Sequence, residues 1–154
     1  MSLKSTPESA FIRDNFGEIW PVHLRQLTRL LVRLRREFDG DLDLLLVLAV
    51  IADRVRPEGW SPELRTSRNL SRGEGAAHFL NPINIQSVAE FSGIPRETVR
   101  RKVRTLEARG WVARNTRGHL AILPRAAEDL EAATLESVDY MSALVAVVDR
   151  LQGR

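Results

Sequence analysis

Arginine carries most of the chemistry available to this chain. Of its 23 basic residues, only Lys4 and Lys102 are lysine. Between residues 94 and 118 stand eight basic residues against two acidic ones, and Arg96, Arg100, Arg101 and Arg104 crowd together there. A guanidinium is planar, permanently charged, and matched in shape to a phosphate or to the edge of guanine. Residues 125–154 reverse the balance, with three basic residues against six acidic ones. The net charge is only +3, but a basic centre beside an acidic tail is the electrostatic footprint of a polyanion binder. The plainer reading of the same arginines is a compositional bias displayed on a solvated surface.

Other chemistry is poorly supported. His23, His78 and His119 lie far apart in sequence, without metal-ligand spacing, and there is no cysteine to complete a site or a disulfide. His23 reads as a helix-surface residue, and His119 as the start of a strand within reach of phosphate. Gly73-Glu74-Gly75 lacks a following strand–helix unit and a phosphate-loop lysine. Asp41 and Asp43 read as helix caps and solvated charge. The serines of residues 56–82 have no histidine base at a suggestive spacing. No enzyme and no cofactor is expected.

The arginines must be positioned by residues 85–112, INIQSVAEFSGIPRETVRRKVRTLEARGWV from Ile83 onward. A first helix takes its apolar face from Val88, Ala89 and Phe91, with Gln86 or Ser87 as cap. Ser92-Gly93 stops it, because glycine accepts the left-handed backbone that ends helices. Ile94 plugs the turn, and Pro95 suits the first position of a second helix. That helix, residues 95–109, buries Val99, Val103 and Leu106, spaced four and three apart, and Gly110 ends it. At about 100° per residue, Glu97, Arg101, Arg104 and Thr105 then face outward, with Arg96 and Arg100 on the flank. Such a face suits a DNA major groove. Two short apolar runs in residues 111–123 surround Asn115-Thr116-Arg117-Gly118 and predict a β-hairpin carrying Arg114 and Arg117. A short strand near Ile83 is expected to pair with it as a third strand.

A helix-turn-helix followed by a hairpin is a winged helix, and the stretch from Ile83 to Leu123 resembles that of bacterial transcription regulators. The run Arg96-Glu97-Thr98-Val99-Arg100-Arg101 is similar to the recognition helix of the cyclic-AMP receptor protein family. The resemblance implies that Arg96, Glu97 and Arg101 read bases. Arg100 stands where that family has a small residue. Nothing upstream of Ile83 looks like a cyclic-nucleotide barrel; the helical flanks instead resemble the MarR family, whose winged helix sits between dimerising helices. Ser87, Thr98, Arg100, Arg104, Arg114 and Arg117 complete the expected DNA contacts, mostly to phosphates.

The flanks follow from periodicity. Thr6-Pro7 opens a helix, and Pro21 kinks it or starts another. Trp20, Leu24, Leu27, Leu31, Leu34 and Phe38 recur at steps of three and four, predicting an amphipathic helix that dimerises or packs on the chain's own core. Asp39-Gly40-Asp41 breaks the chain before a buried, nearly all-apolar helix over residues 42–55. Residues 56–82 have no period. They read as a ligand loop, a DNA arm carrying Arg65, Arg68 and Arg72, or a tolerated insertion, with Trp60 and Phe79 as anchors. After Pro124, one long helix over residues 126–151 carries a broad apolar stripe.

The fold expected is mainly α with a small β-wing. Its parts are a dimerisation extension (1–38), a winged-helix domain (39–124) with a loop at 56–82, and a C-terminal helix (125–154). The expected function is sequence-specific binding of double-stranded DNA by a cytoplasmic homodimeric regulator, its half-sites about 34 Å apart. A membrane role is not expected: no signal segment is apparent, and the longest apolar run is too short to span. A protein-interaction scaffold and a regulator that senses a small-molecule effector near the dimer helices are the alternatives.

Overall fold

The computed structural model describes residues 6–53 and 83–153. The expectations for the 56–82 loop, for His78 and for the glycine pair Gly73 and Gly75 lie outside the described residues. The described residues are mainly helical with a small two-stranded antiparallel sheet, and the chain divides into two compact units, Leu34–Thr134 and the pair of segments Met1–Arg33 and Leu135–Arg154.

In the unit built from the two ends, helix α1 (Pro7–Asp14) begins as expected. The Thr6 hydroxyl accepts the Ser9 N–H at 3.2 Å, and Pro7 occupies the first turn. The break comes at Asn15, earlier than the proline suggests. The Asn15 side-chain amide donates to the Phe11 carbonyl at 3.0 Å, and the Asn15 carbonyl accepts from Glu18 and Ile19 to start α2 (Phe16–Glu37). Pro21 lies inside α2, where it forfeits one helical hydrogen bond without ending the helix. The last helix, α7 (Glu131–Leu151), packs antiparallel to α2. Its polar contacts run in opposite order along the two helices: Glu18 with Arg150 at 3.2 Å, His23 with Tyr140 at 2.8 Å, and Arg29 with Glu136 at 3.1 Å. His23 is thus half-buried and hydrogen-bonded, not a bare surface residue, because the helix rotates it toward α7 along with Ile19.

The other unit is built on α3 (Leu42–Asp53). The turn before it needs left-handed backbone at Asp39 and Gly40 (φ 54° and 77°), and the Asp41 carboxylate then caps α3 by accepting the Leu44 N–H at 2.9 Å. Leu44, Val47, Leu48, Val50 and Ile51 are buried, but Leu42 and Leu46 are 61% and 40% exposed, so α3 is not buried all round. Two helices cross its buried face, α4 (Ile85–Ser92) and α5 (Arg96–Ala108). The β-strands Val112–Arg114 (β1) and Leu120–Ile122 (β2) pair with Val112 opposite Ile122 and Arg114 opposite Leu120. Among the described residues Ile83 adds one bridge to Leu120 rather than a third strand, since Asn84 already turns the chain into α4. The C-terminal segment is not one helix: Pro124 opens a short α6 (Pro124–Asp129), and the chain breaks at Leu130 before α7.

Candidate nucleic-acid interface

The two helices α4 and α5 are joined by Gly93, Ile94 and Pro95. Asn84 caps α4, its side-chain oxygen accepting the Ser87 N–H at 3.0 Å. The cap therefore precedes Gln86 and Ser87 by two and three residues; Gln86 instead donates to Glu90 at 2.7 Å along the helix. Gly93 closes α4 with φ 72°, Ile94 is buried, and Pro95 stands as the residue before α5. Val88 has no exposure, while Phe91 is 65% exposed. The buried face of α4 is centred between Val88 and Ala89 and includes Ile85; Phe91 lies about 110° from that centre at 100° per residue, so it does not share the apolar face.

Helix α5 is seated by Val99, Val103 and Leu106, all with no exposure. Glu97, Arg101 and Arg104 point the opposite way and are exposed, as is Arg96 at the helix start; Thr98 and Arg100 are half-buried on the flanks. Arg100 lies 3.7 Å from the Glu97 carboxylate, one turn away. Among the described residues, Arg96, Arg101 and Arg104 form no ion pair with a carboxylate, although the charge of Arg101 is felt by Asp41. The Arg101 and Arg104 guanidiniums thus stand with Glu97 on the outward helix face, and Arg96 stands on its flank at the helix start.

The end of α5 is held by several contacts. Gly110 takes φ 71°, letting its N–H and that of Trp111 return to the Glu107 and Leu106 carbonyls at 3.0 Å. The Arg109 guanidinium donates to the Glu37 carbonyl at 3.1 Å and to the Asp39 carboxylate at 2.7 Å, and it lies 4.8 Å from the Trp111 ring centre. Trp111 packs edge-on against Phe38, and its indole N–H donates to Asp129 at 2.8 Å. The Asp129 carboxyl is held below the usual aspartate range by Arg125 and by this indole donor. Lys102 is paired with the capping Asp41. Burial would raise the Asp41 carboxyl, but the Lys102 and Leu44 donors and the charges of Lys102 and Arg101 together leave it lowered.

In the hairpin, Arg114 makes a two-pronged pair with Glu107, Nε to Oε1 at 3.2 Å and Nη2 to Oε2 at 3.3 Å. Its charge ties β1 to α5, so it is less available to a phosphate than its sequence position suggests. At the tip, the Asn115 side chain accepts the Arg117 and His119 N–H groups, both at 3.0 Å, and Gly118 takes φ 81°. Arg117 is left exposed with no acid partner among the described residues. His119 is half-buried at the foot of the turn. Ser87 is also half-buried, its hydroxyl 3.3 Å from the capping Asn84.

Sequence reasoning brings Glu97, Arg101, Arg104 and Thr105 to one face, with Arg96 and Arg100 on its flank. It misses Arg109, Glu107 and Lys102 as fixed groups; a signal existed only for Glu107, whose seven-residue distance from Arg114 spans the expected helix end. No cluster of histidine, aspartate or glutamate suited to a metal occurs among the described residues, and no described helix is long and apolar enough to cross a membrane. No protein-family model, curated protein or solved structure matches the chain.

Proposed function

We propose that the chain is a sequence-specific regulator of transcription that binds double-stranded DNA as a cytoplasmic homodimer, using a winged helix-turn-helix. In this reading α4 and α5 are the helix-turn-helix and the β1–β2 hairpin is the wing. One observation carries it: Arg101 and Arg104 are exposed, outside any ion pair among the described residues, on the face of α5 opposite three fully buried apolar residues, and Arg96 is exposed on the flank at the helix start. Leaving guanidiniums unpaired on a rigid helix suits an external anion, and a helix is the element that fits the major groove. Arg96, Glu97 and Arg101 contact base edges; Arg104 and Arg117 contact phosphates; Arg100 orients Glu97. Arg114 contributes chiefly by fixing the wing on Glu107.

The test is anisotropy binding to random-core duplexes at two salt concentrations, with the bound fraction sequenced. The expected result is salt-sensitive binding and an enriched inverted repeat. Arg101→Ala is expected to cost roughly 1–3 kcal/mol on the enriched site and to relax preference at one base pair. Arg117→Ala should weaken binding to all duplexes alike and flatten the salt dependence. Absence of binding at low salt would overturn the reading and favour a protein-docking role.

A further inference from the structure

Glu107 is the acid whose place on α5 the helix itself does not explain. It stands in the last turn, where the exposed carbonyl groups disfavour a carboxylate, and no basic residue shares that turn. At 100° per residue it lies within about 20° of both Arg96 and Arg100 around the helix. A carboxylate therefore closes a flank that otherwise carries arginine.

Its partner is Arg114 of β1, held through two nitrogens at 3.2 and 3.3 Å. A phosphate offers a guanidinium the same two-oxygen edge. One Arg114 fork cannot serve Glu107 and a phosphate together. The two side chains are 37% and 27% exposed, so an outside anion can reach them. The base of the hairpin is seated by other means. Trp111 and Val112 are buried, the Trp111 N–H donates to the Leu106 carbonyl at 3.0 Å, and the Leu123 N–H donates to the Trp111 carbonyl at 2.8 Å. Removing the charge of Glu107 thus leaves α5 and the strands in place and acts on the Arg114 side chain.

We infer that Glu107 limits the affinity of this site for DNA: it holds Arg114 away from the phosphates by taking the contact that one of them would make. The inference rests on the DNA reading above and deepens it. Among the described residues, Arg117 is then the guanidinium of the hairpin left to an external anion, and the wild-type complex is weaker than its arginines would allow. Glu107 is a positioning residue in this scheme, since it acts through Arg114.

Anisotropy titrations of the full chain against a random-core duplex at two salt concentrations test this. Glu107→Gln should bind more tightly than wild type. The gain should be roughly three- to fourfold larger at about 50 mM than at about 200 mM salt, the mark of one further phosphate contact. In an Arg114→Met background the same change should give a much smaller gain. A gain of equal size in both backgrounds would mean that Glu107 only repels DNA, and would overturn the inference. So would binding by Glu107→Gln that is no tighter than wild type. Glu107→Asp keeps the charge and shortens its reach; it should show part of the gain, and it decides the matter if Glu107→Gln does not fold. Binding by none of these proteins at low salt would remove the DNA reading and the inference with it. Binding that ignores Glu107 would remove the inference alone and leave that reading standing.

Discussion

The two compact units solve the same problem unequally. The unit of Leu34–Thr134 closes its own core: α3, α4, α5 and the sheet bury a continuous cluster from Phe38 through Trp111 to Ala126. The unit made of the chain's two ends buries one layer between two long helices and leaves its largest apolar side chains half in water. A three-sided arrangement of helices and sheet encloses its own apolar faces, whereas two helices side by side have only one line of contact. The first unit therefore owes its stability to contacts within itself. The second leaves part of its apolar surface in contact with water.

Two tryptophans make that difference measurable. Trp111 is 5% exposed, edge-on to Phe38, beneath Arg109 and hydrogen-bonded to Asp129. Its truncation leaves a cavity, so Trp111→Ala is expected to cost about 3–5 kcal/mol in urea unfolding. Trp20 is 45% exposed and stacked on Phe16 and His23. Trp20→Ala is expected to cost about 1 kcal/mol, the worth of aromatic contacts at a surface. Equal costs would erase the contrast between the units.

A smaller effect isolates the cap on α4. Asn84 satisfies the Ser87 N–H at the helix start and is itself exposed. Asn84→Ala should cost about 1 kcal/mol, and Asn84→Ser much less, because serine also caps well. If both cost the same, the role lies in the Ile83 bridge and not in the cap.

The parts legible in the sequence were those governed by neighbours. The spacing of Val99, Val103 and Leu106 placed α5 and its outward arginines, and Gly93 and Gly110 marked its limits. Thr6 and Asp41 were recognisable caps for the same reason. What stayed hidden depends on distant partners or on fine rotation. Arg109 looks like another surface cation until its partners appear some seventy residues upstream, at Glu37 and Asp39. Phe91 satisfied an apolar count while sitting too far around α4 to be buried. Pro21 suggested a break that Asn15 makes instead, because an asparagine side chain can bond the preceding turn's carbonyl and end a helix that proline only weakens. The charge pair of Arg114 with Glu107 required knowing that α5 and β1 fold back on one another. Neighbour patterns thus locate the exposed face of α5, but which of its cations are already occupied depends on the tertiary fold.

Asp41 offers a third probe, by pH. Its carboxylate joins the start of α3 to Lys102 of α5. Because its folded value is lowered from the ordinary aspartate value, its contribution is fully present above the unfolded value. It is lost as pH falls through the folded one. Asp41→Asn keeps a capping oxygen but removes the charge. The variant should unfold at lower urea than the wild type near neutral pH, and the gap should narrow below about pH 4 as the wild-type carboxylate takes up its proton. Trp20→Ala, which alters no titrating group in α3 or α5, should show no such narrowing on that limb. A gap for Asp41→Asn that persists unchanged to pH 3 would mean that the carboxylate acts only through its capping geometry. The tie between α3 and the arginine-bearing helix would then be steric, supplied by Val47, Leu48 and Ile51 against Val99 and Val103, rather than electrostatic.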